Sequence, residues 1–99
     1  MTSRQQFDAI WIAQTDNTAT MLRDAAAGEN VAAALAGGAE VKTVTLRENI
    51  AFGHKLALND IKAGDEIFKY GEVIGRASAP IACGEHVHVH NVESLRGRG

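Results

Sequence analysis

The sequence is poor in several things at once. Its 99 residues include one cysteine, Cys83, and one proline, Pro80. A single thiol cannot close an internal disulfide, which fits a reducing cytosol. Aromatic residues make up only 5% of the chain, so any core must be built from small aliphatics. Charge of one sign is also lacking. A net charge of −2 gives no reason to expect nucleic acid or an anionic membrane as a partner. The longest apolar run, Val31 to Ala36, is too short to span a bilayer, and Met1 to Gln6 has no apolar signal core. Together these absences predict a soluble cytoplasmic protein. Ninety-nine residues make one small domain. A chain this short buries a modest share of its surface and often relies on a partner, which leaves room for a homo-oligomer.

What the chain does have is histidine in one place. Gly84-Glu85-His86-Val87-His88-Val89-His90-Asn91 holds three of the four histidines. Alternation with valine predicts a strand. His86, His88 and His90 then share one face, and Val87 and Val89 pack on the other. Imidazole is the commonest metal-binding side chain. Neighbours in such a row lie about 6.5–7 Å apart at Cα and the outer two about 13 Å apart. Ligand nitrogens must come within about 2.0–2.1 Å of a zinc-like ion. One adjacent pair can therefore turn toward an ion, with further ligands from another segment or another chain. A solvated histidine row on an edge strand explains the same pattern.

Read in order, Phe7–Ala13 predicts the first strand, and Thr15-Asp16-Asn17 a turn. Thr18–Ala27 fits a short strand or a helix start. Val31–Ala36 followed by Gly37-Gly38 suggests a loop or a short helical turn. Glu40–Leu46 alternates and predicts a strand with Val41, Thr43 and Thr45 on one face. In Ile50–Leu58, Gly53 predicts a bulge or tight bend. Tyr70-Gly71-Glu72 interrupts Ile67–Ile74 as a hairpin tip. Residues 1–93 form a single domain, and 94–99 read as a flexible tail.

A weak internal repeat links Asp24–Val31, Asp60–Ile67 and Pro80–Val87. Each has a glycine followed by an acid and, two residues later, Val or Ile. The pattern describes a turn whose glycine takes positive φ and leads into a strand. The acid is a turn residue on this reading. The fold predicted is mainly β, with short strands, tight glycine turns and one or two short helical turns.

Four blocks in order carry a resemblance: Phe52-Gly53-His54-Lys55-Leu56-Ala57-Leu58, then Asp60-Ile61, then Lys69-Tyr70-Gly71-Glu72-Val73-Ile74-Gly75, then Gly84 to Asn91. They resemble the N-terminal SAF domain of the altronate and galactarate dehydratase family, from about Asp16 to Ser94. The sulfolactate sulfo-lyase small subunit is similar. The His-x-His-x-His-Asn ending resembles the altronate branch more than the galactarate branch.

The resemblance implies a compact SAF β-clip fold. It implies a carbon–oxygen lyase of the hydro-lyase type, with this chain as a small subunit, inactive alone, that needs a large catalytic dehydratase subunit. It implies a small sugar-acid substrate and a divalent metal, Fe2+, which can sit mainly in the large subunit. His86 and His88 are then the metal ligands. His54, Lys55 and Glu72 are the candidates for catalysis. Lys55, Tyr70 and His90 are the candidates for substrate contacts. Cys83 reads as a small buried thiol rather than a soft ligand. Two other functions stay open: a sulfolactate sulfo-lyase subunit, or a non-catalytic SAF module for binding or assembly.

Overall fold

The computed structural model describes residues 7–37 and 40–94. These residues form nine strands: β1 Ala9–Trp11, β2 Thr18–Met21, β3 Asn30–Leu35, β4 Val41–Thr45, β5 Lys55–Ala57, β6 Glu66–Lys69, β7 Glu72–Ala77, β8 His86–Val87 and β9 Val92–Ser94. No helix occurs among them. The helical turns expected from the sequence are therefore absent, and alanine content is what misled. Thr18–Met21 is the short strand that was one of the two alternatives there, and Asn30–Leu35 is a strand where a loop or short helical turn was expected. Both strands are flanked on each side by other strands, and Ala19 and Ala33 are fully buried. Tertiary packing overrides helix propensity here.

The strands make two sheets, ordered β4-β3-β1-β2-β5-β8 and β6-β7-β9. β1 and β3 run parallel; the other pairs are antiparallel. Two apolar clusters result. One centres on Met21, Val31, Val44, Leu46, Ile50, Leu56 and Leu58. The other holds Ala57, Ile61, Ile67, Ala77, Ile81 and Val87. Strand β5 serves both, because alternation sends Leu56 one way and Ala57 the other. As the low aromatic content predicts, the cores are aliphatic, with Trp11 the one large aromatic in them.

One turn recurs four times. Ala25 bridges Ile50, and Ile61 bridges Ile81. Three residues after each bridging residue stands a glycine at positive φ: Gly28 at 91°, Gly53 at 85°, Gly64 at 91° and Gly84 at 91°. Each glycine N–H donates to a carbonyl across the turn, of Leu46, Met21, Ala77 and Ala57 respectively. Those same four residues donate back, to the carbonyls of Glu29, His54, Asp65 and Glu85. In three turns the acid after the glycine also accepts the N–H three residues behind it. The distances are 2.7 Å for Glu29 with Ala26, 3.2 Å for Asp65 with Lys62 and 2.9 Å for Glu85 with Ala82. The repeat legible in the sequence is thus real, and the acids are turn residues as expected. The fourth copy, at Gly53, escapes the sequence pattern because His54 stands where the acid belongs.

A second device joins the sheets. Asp16, only 6% exposed, accepts four backbone N–H groups: Ile12 and Ala13 at 3.1 Å, Tyr70 at 3.0 Å and Gly71 at 2.7 Å. Asn17 accepts the Phe68 N–H at 2.8 Å and donates to the Glu66 carbonyl at 3.0 Å, and Thr18 Oγ1 donates to the Phe68 carbonyl at 2.9 Å. The β6–β7 hairpin is thereby fastened to the end of β2. The turn signal at 15–17 is correct, but its polar residues do more than turn the chain.

Burial alone would raise the Asp16 pKa; the four amides outweigh it and hold the carboxyl below its ordinary value. Its contribution to stability is therefore complete above the unfolded-chain pKa of about 3.9 and drains away as pH falls through the lower folded value. Asp16→Asn should cost about 2–3 kcal/mol in urea unfolding at neutral pH, because amide hydrogens then face N–H donors. Its stability should also fall less steeply than the wild type's between about pH 5 and pH 2. A parallel loss in both proteins would remove Asp16 from this role.

Candidate metal centre

All four histidines of the chain meet at one place. They do not do so as a straight row. Pairing covers only His86 and Val87, with Leu56 opposite His86 and Lys55 opposite Val87. The chain then bends through residues 88–91. Val87 is fully buried as expected, but Val89 is 80% exposed, which corrects the reading of both valines as core-facing. The bend removes the spacing limit of an extended strand. The His86 and His88 rings stack with centroids 5.1 Å apart and planes 11° apart, and the His90 ring lies 5.4 Å from that of His86.

Asn91 makes the bend. It is 8% exposed and sits inside it. Its Oδ1 accepts the His88 N–H at 3.0 Å, its Nδ2 donates to the His86 carbonyl at 2.9 Å, and its own N–H donates to the His88 carbonyl. Glu48 fixes the other end by accepting the His86 N–H at 2.9 Å. Gly84 allows the approach to β4, since a Cβ there would run into the Thr45 carbonyl. Glu48 has no motif in the sequence that announces it. Asn91 does, as the last residue of the His-x-His-x-His-Asn block.

His54 arrives from the Gly53 turn. Free of the capping task that the acids perform, its ring reaches across to β8. His54 Nδ1 and His86 Nε2 are 2.9 Å apart, and the ring centroids of His54 and His88 are 4.9 Å apart. The 2.9 Å contact needs one nitrogen bare and the other protonated, so the two rings share a proton between them. One ligating nitrogen each from His54, His86 and His88 lies within 4.8 Å of the others. Around an ion at about 2.0–2.1 Å, tetrahedral ligand nitrogens stand about 3.3 Å apart. The contact already made is inside that span, and modest ring rotations close the rest. The donor set thus fits a divalent first-row ion such as zinc or iron, for which imidazole is an apt ligand. His90 is outside the group and reaches only the His86 ring.

Electrostatics favour the bare, ligating form. His86 is pulled below the ordinary histidine value by burial first, then by His54, His88 and His90, against a small opposing pull from Glu48. His88 is lowered in the same direction by desolvation, then by His54, Lys55 and His90.

The other sequence candidates are placed less centrally. Lys55 is half-buried on β5, on the strand face opposite to His54 and Leu56. It shares a cleft of about 210 Å³ with His88, Val89, Ile74 and Val92. His54 and His86 border a second cleft, about 560 Å³, walled by Asp24, Glu29 and Asn49. Tyr70 and Glu72 line neither. Tyr70 is 52% exposed at the hairpin tip and Glu72 is exposed opposite Lys69. Cys83 donates its thiol to the Leu58 carbonyl at 3.3 Å and packs against the first core.

With this geometry in view, the comparisons are direct. A family profile, the altronate/galactarate dehydratase SAF domain, matches residues 7–95, and the chain belongs to that family. It is 46% identical over 85 residues to altronate dehydratase of Escherichia coli (strain K12), covering 86% of this chain and 16% of that protein. It is 42% identical over 85 residues to altronate dehydratase of Bacillus subtilis (strain 168), again 16% of that protein. It is 43% identical over 53 residues to the (2R)-sulfolactate sulfo-lyase subunit alpha of Paracoccus pantotrophus, covering 54% of this chain and 79% of that subunit. The chain thus spans about a sixth of the altronate dehydratases it matches.

The Gly53 turn generates a test that separates ligand from scaffold. Asp65 shows that aspartate caps this turn. His54→Asp should therefore leave thermal stability equal or higher by up to about 1 kcal/mol. The same variant should lose at least about tenfold in Zn2+ or Co2+ affinity by calorimetry. Asn91→Ala should weaken the metal by about 10–100-fold, through loss of the bend that orients His86 and His88. Unchanged metal affinity in both variants would remove the cluster as a metal centre.

Proposed function

We propose that this chain is the SAF part of a metal-dependent hydro-lyase acting on a sugar acid, and that a larger chain or domain completes its active site. One observation carries the reading: three imidazole nitrogens from two separate segments converge within 4.8 Å at an accessible edge of the fold. Family membership and the small share of the altronate dehydratases that the chain covers supply the reaction class and the need for a partner.

His54, His86 and His88 would hold the ion, with Fe2+ the choice that the resemblance suggests. Three protein ligands leave coordination positions open, and a bound cation there supplies Lewis-acid stabilisation of charge on a substrate oxygen. The rest falls to residues of this chain and its partner. Loss of water β to a carboxylate requires that the carboxylate be held, that a base take the α-proton, and that the leaving hydroxyl be protonated. Lys55, beside His88, is suited to the first task. His90, a few ångströms from His86, is suited to contact with the substrate. Glu72 and Tyr70 reach the site only if the partner draws the substrate along the hairpin.

A second reading has its own observation. The chain is 43% identical over 53 residues to the sulfo-lyase subunit alpha, a match that takes in 79% of that subunit. That reading makes the leaving group sulfite instead of water. The protein combined with a dehydratase-like large chain and Fe2+ should convert altronate or galactarate to a keto-deoxy acid, and chelation should abolish this. His54→Ala, His86→Ala and His88→Ala should each lower kcat/KM by about 100-fold or more. Sulfite release from sulfolactate, without turnover of sugar acids, would decide for the second reading. Full activity in all three alanine variants would leave only a binding or assembly role.

A further inference from the structure

The four glycine turns form two bridged pairs, and each pair walls a cleft. Residues 24–29 and 49–54 make the first pair, and 60–65 and 80–85 the second. In both, the bridging residues exchange backbone hydrogen bonds, Ala25 with Ile50 and Ile61 with Ile81. In both, the aspartate before the bridge caps the opposite turn. Asp24 Oδ1 accepts the Phe52 N–H at 2.8 Å, and Asp60 Oδ1 accepts the Cys83 N–H at 2.9 Å. The two clefts measure about 560 and 520 Å³ and are lined at matching positions. Asp24, Asn49 and His54 in the first correspond to Asp60, Pro80 and Glu85 in the second.

Features that the copies share are explained by their common architecture; those that differ need another reason. Asn49 and Pro80 differ. Asn49 Oδ1 accepts the Ala27 N–H at 2.9 Å. Pro80 has no side-chain acceptor for the matching contact. Yet Gly28 and Gly64 close their turns at the same φ, 91°. The asparagine cap is therefore not what forms the turn. Asn49 is nonetheless held in place. Glu48 before it accepts the His86 N–H, and Ile50 after it is bridged in both directions to Ala25. An N–H faces its Oδ1, so the amide has one orientation, and Nδ2 keeps two donors with no partner among the described residues.

Asn49 lines the cleft that His54 and His86 border, and the Asp24 carboxylate lines it too. Asp24 Oδ2 has no partner among the described residues. Glu29 in the same wall is engaged by Arg23 and the Ala26 N–H. A donor amide and an acceptor carboxylate in one cleft suit hydroxyl groups, which both donate and accept. They do not suit a carboxylate, which cannot donate and is repelled by Asp24.

We propose that Asn49 and Asp24 form a hydroxyl-binding subsite in this cleft, which holds the polyhydroxylated carbons of the ligand while its reacting end lies at the histidines. The place of the reacting end rests on the reading of the cluster as a metal centre for a hydroxy acid. The subsite itself needs neither metal nor turnover.

The test titrates the full chain, without and with Zn2+, with galactitol, followed by NMR. The Asn49 side-chain amide signals should shift saturably, with a Kd in the millimolar range. Acetate, a carboxylate without hydroxyls, should not shift them. Asn49→Asp keeps an oxygen for the Ala27 N–H and removes the donors; Asp24→Asn keeps an oxygen for the Phe52 N–H and removes the charge. Each should weaken galactitol by at least about fivefold. Asp60→Asn, the matching change in the second cleft, should leave its affinity within about twofold. No saturable shift of the Asn49 amide, an equal shift with acetate, unchanged affinity in both cleft variants, or an equal loss in Asp60→Asn would overturn the proposal. In the enzyme completed by its large partner, Asn49→Asp should raise KM for a sugar acid about fivefold and leave kcat within about twofold. An unchanged KM in a working enzyme would overturn the subsite alone. Absence of sugar-acid turnover would instead count against the proposed reaction, and the galactitol titration would still decide the subsite.

Discussion

The fold depends on one exchange of hydrogen bonds, made four times. A glycine at positive φ presents its N–H to a carbonyl on a neighbouring segment, and that segment returns its own N–H to the carbonyl just after the glycine. Buried backbone groups must be paired, and most of the strands here are too short to pair them by ladders alone. The turns do much of that work between strands of two to six residues. They come in two mutually bridged pairs, 25–29 with 50–54 and 61–65 with 81–85, one pair beside each apolar cluster. A side chain at the position after the glycine is consequently fixed in direction by backbone geometry, whatever its type.

That fixity explains how a small aliphatic domain builds a site. Three of the four positions carry Glu29, Asp65 and Glu85, which spend their carboxylates on the turn itself. The fourth carries His54. Its imidazole does not loop back to the Ala51 N–H but reaches His86, Nδ1 to Nε2 at 2.9 Å. The partner strand needs the opposite treatment. His86 and His88 converge because Asn91 folds the chain back on itself after only two paired residues. One imidazole comes from a turn that stays open and two from a strand that stops early.

Much of this was legible from residue types, and the failures share a cause. The glycine–acid repeat, the bend at Gly53, the hairpin tip at Tyr70-Gly71 and the β4 alternation all follow from local rules, and the structure has them. The histidine block was legible as chemistry but misread as geometry. Alternation predicts a strand through Asn91, and local pattern cannot show that Asn91 would satisfy the His86 carbonyl and the His88 N–H and end it. Likewise the alanines of Asn30–Leu35 favour helix until β1 and β4 flank them. Glu48, and what Asp16 does beyond its turn, were invisible for the same reason: each accepts backbone N–H groups between 38 and 55 residues away, where one-dimensional spacing carries no signal. The family profile compensates, because it spans residues 7–95 and so takes in those distant positions together.

The location of the cluster follows from the same architecture. Strand β5 divides its alternate residues between two cores, so its half-buried start, Lys55 with His54 just before it, must also split, one side chain to each face. The consequence is an imidazole directed toward β8 and an ammonium directed toward the second sheet, one residue apart and on opposite sides. His88 is drawn toward its neutral form by desolvation first, then by His54, and after these by Lys55 and His90.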